Sequence, residues 1–478
     1  MLLGQPVSRS APIVDGSRDW YRIWVVRAIT LIYVLAILEG VLRKWLLPSY
    51  SQLLFFIRDP VVLAAYVVAV AGGLWPRGRA LLYVGLILAV AALVVAAGQL
   101  AFGGTDVEHP MLFAAYGWRN YFLYLPLAFV VADVFEATDI ARVIRITLLL
   151  SLPIAVLVIV QFYAPLDSWI NVGLGDSPQS QFAGLALTED HTRPMGPFTS
   201  NLGQREYVVS GLAMIIGAWL SERWRMLLRR RELVVGTLGM LTCLAFSGSR
   251  GVVINTGILT VVAIAAIALQ AGQVHRGRAL GWFAAIVVVA LVAYPLVFPD
   301  SYHAIATRWQ VADEFESTRF TGGVFGRALY GLVDFLRLMD ETPLLGFGLG
   351  LGGNASTLMG LLIGGESPVS VAETDWARHI VDLGPVLGLM YLVFRVALTI
   401  ALLREAITSL RRGSLMSFLI FGFVGSELLA GQITGQGSVN AYAWLFAGFC
   451  LASARQHLSH EISNPNVDTK PRFPSLLR

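Results

Sequence analysis

Long apolar segments recur along almost the whole chain, and they constrain its fold more than any other feature. Each segment of about 17–25 apolar residues is long enough to cross ~30 Å of hydrocarbon as a helix. Hydrophobic residues make up 56% of the chain and charged residues only 14%, and the mean hydropathy is +0.68. Such a composition excludes a soluble globular protein. The sequence therefore predicts an all-α, polytopic integral membrane protein that lies in a lipid bilayer.

We predict twelve transmembrane helices. They span about 25–47, 54–74, 80–101, 115–134, 146–164, 206–221, 232–247, 251–271, 279–298, 383–403, 414–433 and 440–454. Residues up to Asp19 are polar and lack an apolar core, so the chain shows no cleavable signal peptide.

The arginines predict which side of the membrane each loop faces. One alternate set of short loops holds Arg77, Arg79, Arg142, Arg145, Arg223, Arg225, Arg229, Arg230, Arg231, Arg276, Arg278, Arg404, Arg411 and Arg412. Cytoplasmic loops carry an excess of Lys and Arg, and both termini fall on the same side as this set. We therefore expect cytoplasmic termini and an outward-facing loop at 299–384.

This orientation divides the chain into five parts. They are a cytoplasmic segment at 1–24, helices 1–9 at 25–298 with an outer loop at 165–205, the large outer loop at 299–384, helices 10–12 at 385–454, and a cytoplasmic tail at 455–478. The tail is polar with scattered prolines, which is typical of disorder.

Charge and cysteine content exclude several functions. The net charge of +4 is spread over many loops, and no basic cluster is interleaved with aromatic residues as nucleic-acid binding requires. The only cysteines, Cys243 and Cys450, lie in apolar spans, so the outer loops hold no disulfide and show no metal-ligand spacing.

The large outer loop is the one long interruption in the apolar pattern, and chemistry is expected there. It contains a charged, amphipathic run from Thr307 to Asp340, with an apolar stripe at helical spacing that predicts an interfacial helix. A glycine-rich stretch, Pro343–Gly353, follows it. The loop ends with the polar segment Glu373–Gly384, which enters the tenth helix.

Gly348, Gly350 and Gly353 match the G-x-G-x-x-G fingerprint of dinucleotide sites, with Glu373 twenty residues after Gly353. We reject that interpretation because no strand–helix–strand unit surrounds the glycines. The glycines predict instead a backbone that bends sharply and closely approaches either a ligand or a neighbouring helix.

Ionisable residues inside membrane spans are costly and need a partner or a purpose. Glu39 and Arg43 are four residues apart on the first helix and form either a self-neutralised pair or part of a site for lipid phosphate. Arg119 has no acid within one turn of its own helix. Arg395 and Glu427 lie at depths where they could meet, and this pair is predicted to be structural.

Several motifs together resemble the bacterial O-antigen polymerase and O-antigen ligase superfamily of membrane glycosyltransferases. They are Ser249-Arg250-Gly251, Arg327 ahead of an amphipathic helix that ends in Pro343–Gly350, the segment Glu373–Gly388, and the outer-loop motif Arg193–Phe198. The likeness covers roughly residues 190–400. The N-terminal stretches Leu38–Trp45 and Ile57–Pro60 are similar to a subgroup found with exopolysaccharide synthesis.

The resemblance implies an enzyme of the bacterial inner membrane that needs neither a cofactor nor a metal. It would move a glycan from an undecaprenyl diphosphate carrier to an acceptor hydroxyl on the outer face. In polymerases this hydroxyl belongs to another glycan. The resemblance also allows a chain-length regulator protein as a partner. Ligases of this superfamily place a histidine followed by asparagine where this chain has Glu373 and Thr374. This departure argues against a lipid A core ligase.

A departing lipid diphosphate needs cations at the membrane surface, and guanidinium groups suit because they bind phosphate in bidentate fashion and stay charged. The candidates are Arg250 and Arg327 first, then Arg193, Arg205, Arg378, Arg119 and Arg337. The acceptor hydroxyl also needs a proton acceptor. We predict Glu373, which occupies the family's base position, with His379 second, and a single displacement that inverts the anomeric carbon.

Three other functions stay open. A ligase would use the same chemistry with another acceptor. Twelve spans with cytoplasmic termini also suit a transporter or a flippase for lipid-linked sugars, although the long loop is neither central nor cytoplasmic as in major-facilitator proteins. A non-catalytic scaffold of an envelope complex is the third.

Overall fold

The structure is a computed structural model, and it describes residues 16–102, 109–174, 188, 191–270, 276–320, 323–352, 372 and 374–463. It is 82% helical, and these ranges contain no β-strand. Seven of their helices are long and apolar enough to cross a bilayer. The prediction of an all-α polytopic membrane protein is confirmed at this level.

The helices follow one another with short connections. In chain order they are α1 (Gly16–Val41), α2 (Ser51–Leu54), α3 (Asp59–Ala71), α4 (Ala80–Phe102), α5 (Pro110–Trp118), α6 (Leu125–Val134), α7 (Ala137–Tyr163), α8 (Asn201–Leu220), α9 (Glu222–Leu227), α10 (Arg230–Ala245), α11 (Arg250–Leu269), α12 (Arg276–Val297), α13 (Pro299–Arg319), α14 (Gly323–Glu341), α15 (Asp375–Arg411), α16 (Met416–Ala430) and α17 (Gly437–Ser463). A π-helical turn, Arg119–Leu123, joins α5 to α6. Each predicted span coincides with one of these helices or with α5 and α6 together, although only seven meet the length and apolarity that crossing requires.

Local sequence determines where several helices begin. Pro60 lies in the first turn of α3, where its missing N–H costs nothing. Ser200 and Thr374 cap α8 and α15, because their hydroxyls accept from the backbone N–H groups of Gly203 and Ala377.

The centre of the molecule is formed by α6, α8, α16 and α17, whose side chains are buried on nearly all faces. Trp444 and Phe446 of α17 are completely buried there. In contrast, the apolar span of α12 has no buried side chain. Apolar residues on every face of a peripheral helix are what a helix surrounded by lipid requires.

Contacts between loops sort them into two ends. At one end the contacts are Arg22 with Asp139, Arg79 and Arg455 with Asp133, Arg145 with Glu232, and Gln270 with the Gly413 carbonyl. At the other end they are Lys44 with the Gly196 carbonyl, Gln99 with the Leu345 carbonyl, Arg193 with Ser249, and Arg250 with Glu316. These are the two sets of loops that the alternation of arginines separated. The side of the membrane that each set faces stays a prediction.

The glycine-rich stretch approaches neighbouring helices. Gly346, Gly348 and Gly350 have backbone φ angles of +80°, +152° and +89°, which residues other than glycine rarely adopt. A Cβ on Gly117 of α5 would lie 2.5 Å from the Gly350 nitrogen, and a Cβ on Gly346 would lie 2.7 Å from the Gly384 nitrogen. The sequence left open whether the glycines approach a ligand or a neighbouring helix, and Gly346 and Gly350 approach helices. Gly353 lies outside the described residues.

The side chains of Arg395 and Glu427 do not form the predicted pair. Arg395 donates to Asp375 at 2.6 Å, and the Glu427 carboxylate binds Arg205 at 2.7 Å. Arg395 reaches only backbone oxygens near Glu427. The chain leaves helical geometry at Gly384, with φ of +77°, and folds back there, which brings Asp375 next to Arg395. The fully buried Arg395 thus has a partner that the predicted depths did not reveal.

The structure also bears on the predicted Glu39–Arg43 pair and on the C-terminal tail. Glu39 and Arg43 form an ion pair at 2.8 Å, and Arg58 binds the same carboxylate at 2.9 Å, so that two guanidinium groups share one acid. The tail was predicted to be disordered from 455, but α17 continues to Ser463. That part of the prediction is wrong, because the helix extends past its last apolar residues.

Candidate functional site

Guanidinium groups from three separate parts of the chain converge at the start of α11. Arg193 donates to the Ser249 hydroxyl at 3.2 Å. Arg250 binds Glu316 of α13 through both carboxylate oxygens, at 2.7 and 3.2 Å. Arg327 of α14 donates to the same carboxylate at 2.8 Å. We call Arg193, Arg250, Arg308 and Arg327, with Glu316 between them, the arginine cluster.

The first turn of α11 adds a second source of positive potential. Gly248, with φ of +57°, turns the chain so that Ser249 precedes the helix in extended conformation. Ser249 occupies the N-cap position, but its hydroxyl makes no capping bond to the helix. That hydroxyl accepts from Arg193 instead. The free N–H groups and the helix dipole therefore make this end of α11 suited to an anion.

Glu316 is held in its ionised form. Burial raises the pKa of its carboxyl, but hydrogen bonds from Arg250 and Arg327 more than compensate and bring the pKa below the usual value. The residue is only 2% exposed. At neutral pH it is therefore an anion enclosed by guanidinium groups.

For Arg193 and Arg308, burial and repulsion from other arginines both disfavour the charged form. Burial, with repulsion from Arg308 and Arg250, lowers the pKa of Arg193 to about 10. Burial and repulsion from Arg250 also lower the pKa of Arg308. No carboxylate of the described residues lies within ion-pair distance of either side chain, and Arg193 Nε is buried without a hydrogen-bond acceptor there. The guanidinium groups of Arg193, Arg250 and Arg308 thus repel one another, and of these three only Arg250 is paired with a carboxylate, that of Glu316.

The predicted catalytic segment lies close to the arginine cluster along α14. The Thr374 side chain is 3.7 Å from the Cβ position of Gly331, and the rings of Phe335 and Trp376 pack 5.6 Å apart. Gly331 is four residues from Arg327, or about 6 Å along a helix. Glu373, the predicted proton acceptor, lies outside the described residues, between Ala372 and Thr374.

His379 lies completely buried in a polar network below this segment. Its ring nitrogens are 3.1 Å from the Tyr121 hydroxyl and 2.7 Å from Arg395. Asp375 binds Arg395 and Arg378 at 2.6 and 2.8 Å. Both ring nitrogens are therefore occupied, and the imidazole has no solvent-exposed surface on which to meet a substrate.

The remaining predicted arginines lie apart from the arginine cluster or at its edge. Arg119 is held by both oxygens of Asp59 at 2.8 Å, an acid on another helix. Arg378 belongs to the buried network around Asp375. Arg337 is exposed and pairs with its own helix, through Asp334 and Glu341.

Arg205 is at the edge of the cluster. Its Cδ lies 3.4 Å from the Cβ position of Gly251, so the side chain packs against the first turn of α11. Its guanidinium binds the carboxylates of Glu206 and Glu427.

The sequence reasoning missed Arg308 and Glu316. Both lie in the charged run that begins at Thr307, and their spacing of eight residues places them on one face of a helix. That spacing was the signal by which the sequence could have identified the two residues. It was weak, because a charged face of a helix is usually only exposed to solvent. Residue spacing alone could not show that this face meets the Ser249 turn.

Comparison with known proteins yields no further assignment: no family model matches the chain, and no curated protein matches it either. Membership of the O-antigen polymerase and ligase superfamily therefore stays a prediction from the motifs.

Proposed function

We propose that this protein is a membrane glycosyltransferase of the polysaccharide polymerase type. It transfers a glycan from an undecaprenyl diphosphate carrier to a hydroxyl of an acceptor glycan, without a metal ion. The arginine cluster at the first turn of α11 carries the proposal, because it combines unbalanced positive charge with an uncapped helix N-terminus. A leaving diphosphate requires this combination at the membrane surface.

Arg250, Arg193 and Glu316 of the cluster have distinct roles in the reaction. The acceptor oxygen bonds to the anomeric carbon as the bond from that carbon to the diphosphate oxygen breaks, which inverts the configuration. Arg250 and Arg193 hold the diphosphate as negative charge builds on its oxygens. Glu316 occupies the place of the diphosphate in the free protein, and the arriving anion displaces it from Arg250.

The acceptor hydroxyl gives its proton to Glu373 in this proposal. The support is positional: Glu373 directly precedes Thr374, the N-cap of α15, which contacts α14 about one turn from Arg327. His379 is the second candidate. Its buried hydrogen bonds to Tyr121 and Arg395 favour a role in holding α15 in place.

The proposal includes a membrane arrangement. Twelve helices cross the bacterial inner membrane, both termini are cytoplasmic, and the arginine cluster faces outward, where the carrier-linked glycan is presented. A ligase acting on another acceptor would use the same cluster. A flippase is less well supported, because the described membrane-depth charges, such as Asp375 and Arg395, are packed against each other.

Loss of the central guanidinium tests the proposal. We expect Arg250→Ala to reduce polymer formation by about 10²–10³-fold at unchanged expression, since one preorganised donor to a developing anion contributes on that order. Carrier-linked single repeats should accumulate on the outer leaflet. Glu373→Gln should give the same accumulation, and chelation by EDTA should leave wild-type transfer unchanged.

Arg337→Ala is the matched control. Arg337 lies on the same helix as Arg327, about 15 Å further along, and is exposed. Its loss should leave polymer formation within a few fold of wild type. Accumulation of repeats on the inner leaflet in Arg250→Ala would show a flippase instead, and full polymer in that variant would refute the enzyme assignment.

A further inference from the structure

Two buried carboxylates share one guanidinium beside the arginine cluster. Arg205 Nη2 donates to Glu206 Oε1 at 2.6 Å and to Glu427 Oε2 at 2.7 Å. Glu206 is completely buried, and Glu427 is 2% exposed. By contrast, the buried acids Glu39 and Asp375 each bind two guanidinium groups. The pair on Arg205 is therefore short of positive charge.

The charges of the surrounding hydrogen-bonded network do not correct this deficit. The network contains the guanidinium groups of Arg205, Arg378 and Arg395, and the carboxylates of Glu206, Glu427, Asp375 and Asp382. His379 also belongs to it, but its imidazole is neutral because Nε2 accepts from Arg395. Three positive charges against four negative ones leave one negative charge unbalanced. An unbalanced charge is costly in a buried, apolar environment, and protonation of one carboxylate removes it.

The hydrogen bonds identify the oxygen that lacks a partner. Both oxygens of Asp375 and Asp382 accept hydrogen bonds, and Glu427 accepts from Arg205 and from Asn255, the latter at 3.4 Å. Glu206 Oε2 is buried and has no donor among the residues that the structure describes. A proton on Glu206 would therefore neutralise the one carboxylate oxygen that nothing stabilises.

A metal cation does not fit between these two acids. Arg205 Nη2 lies within hydrogen-bond distance of both carboxylates and occupies the place that a cation would take. Other charged or titratable groups face the pair from neighbouring helices: Arg395 and Asp375 from α15, and Tyr442 from α17. None of them gives Glu206 a second cation.

We propose that Glu206 and Glu427 form a proton-binding site that holds one proton at pH 7, and that this proton strengthens anion binding at the first turn of α11. Arg205 connects the two sites, since its Nη1 lies 4.0 Å from the Cβ position of Gly251. When the pair is protonated, the guanidinium faces one carboxylate charge instead of two, so more of its positive field reaches the anion. This coupling rests on the proposed function, which supplies the anion.

Infrared spectroscopy of the purified full-length protein tests the proton site without any substrate. We expect the C=O stretch of a protonated carboxyl group at pH 7 in the wild type, and its loss in both Glu206→Gln and Glu427→Gln. Either variant leaves one acid on Arg205, which then ionises. Absence of the band in wild type, or its survival in both variants, would overturn the proton site.

Calorimetry with inorganic pyrophosphate tests the coupling. At pH 7 the pair is already protonated. The calorimetric titration is therefore carried out at a higher pH, at which the infrared band has disappeared. There, binding to the wild type should take up a proton, seen as an enthalpy that depends on the ionisation enthalpy of the buffer. Glu206→Gln should bind about 5-fold tighter than wild type at that pH and should lack the proton uptake by the acid pair, so that only the proton exchange of pyrophosphate itself remains.

An equal buffer dependence in the wild type and in Glu206→Gln would overturn the coupling. If pyrophosphate does not bind the wild type at all, the anion site of the proposed function fails as well, while the infrared band still decides the proton site. Thr260→Ala is the control and should behave like the wild type, because the hydroxyl it removes bonds the Thr256 carbonyl of its own helix.

Discussion

At the scale of single residues, the arginine cluster is arranged for binding an anion at the expense of stability. The lowered pKa values of Arg193 and Arg308 mean that their charged forms are disfavoured in the folded protein by burial and mutual repulsion. Both stay charged at neutral pH, so the repulsion is present whenever the site is empty. Groups that bind ligands commonly destabilise the free protein in this way.

Removal of one repelling charge should therefore stabilise the free protein. We expect Arg308→Gln to raise the Tm by about 1–2 °C, because relief of a partly exposed repulsion is worth less than about 1 kcal/mol. Pyrophosphate should raise the Tm of the wild type more than that of the variant, because the variant keeps Arg250 and Arg193 but has lost one neighbouring positive charge. Thermal unfolding in detergent, with Arg337→Gln as the control, measures both effects. A lower Tm for Arg308→Gln without ligand would contradict the repulsion.

At the scale of secondary-structure elements, glycines determine how the stretch before residue 353 meets the bundle. Gly350 lies against Gly117 of α5, and their backbones approach so closely that neither position has room for a side chain. Gln99 of α4 fixes the same stretch, since its side-chain amide bonds the Leu345 carbonyl at 2.5 Å and the Leu349 N–H at 3.0 Å. The stretch is therefore part of the packed core and positions the start of α15.

Two helical glycines make a matched test of this packing. Gly117→Ala should lower the Tm by several degrees, because its Cβ would lie 2.5 Å from the Gly350 nitrogen and force the backbones apart. Gly257→Ala in α11 should leave the Tm unchanged or raise it. Its Cβ meets nothing within 4 Å, and alanine favours a helix by about 1 kcal/mol over glycine. Equal loss of stability in both variants would show that general helix effects, and not this contact, decide the result.

At the scale of the whole molecule, the two groups of loops can be assigned to sides of the membrane by labelling. Cys243 and Cys450, the two cysteines of the chain, are completely buried, so the native protein offers little background to thiol reagents. The exposed residues Gln310 and Arg229 lie in the two different sets of loops.

We expect a membrane-impermeant maleimide to label Gln310→Cys in intact cells and Arg229→Cys only after the inner membrane is opened. This outcome follows from the excess of arginine in the loops on the side of Arg229. The unsubstituted protein is the control for background labelling. Labelling of Arg229→Cys in intact cells would reverse the predicted orientation and place the arginine cluster in the cytoplasm.

The amino-acid sequence by itself determined the class of fold. Apolar segments of membrane-spanning length recur throughout, and hydrophobic transfer depends on composition and length within one segment, so the positions of the helices followed directly. The contacts between loops fall into the same two groups as the alternation of arginines, while the side of the membrane that each group faces stays a prediction. The pairing of Glu39 with Arg43 was also predictable, because both lie on one helix one turn apart.

The tertiary structure decided which charges meet. Arg250 and Arg327 are joined by Glu316, Arg119 by Asp59 of another helix, and Arg205 by Glu427, at separations along the chain that no local pattern encodes. Ion pairs depend on distances of a few ångströms between helices, and helix packing alone fixes these distances. The sequence could therefore name Arg193, Arg250 and Arg327 as candidates but not Arg308, and only the fold could show which carboxylates these side chains meet.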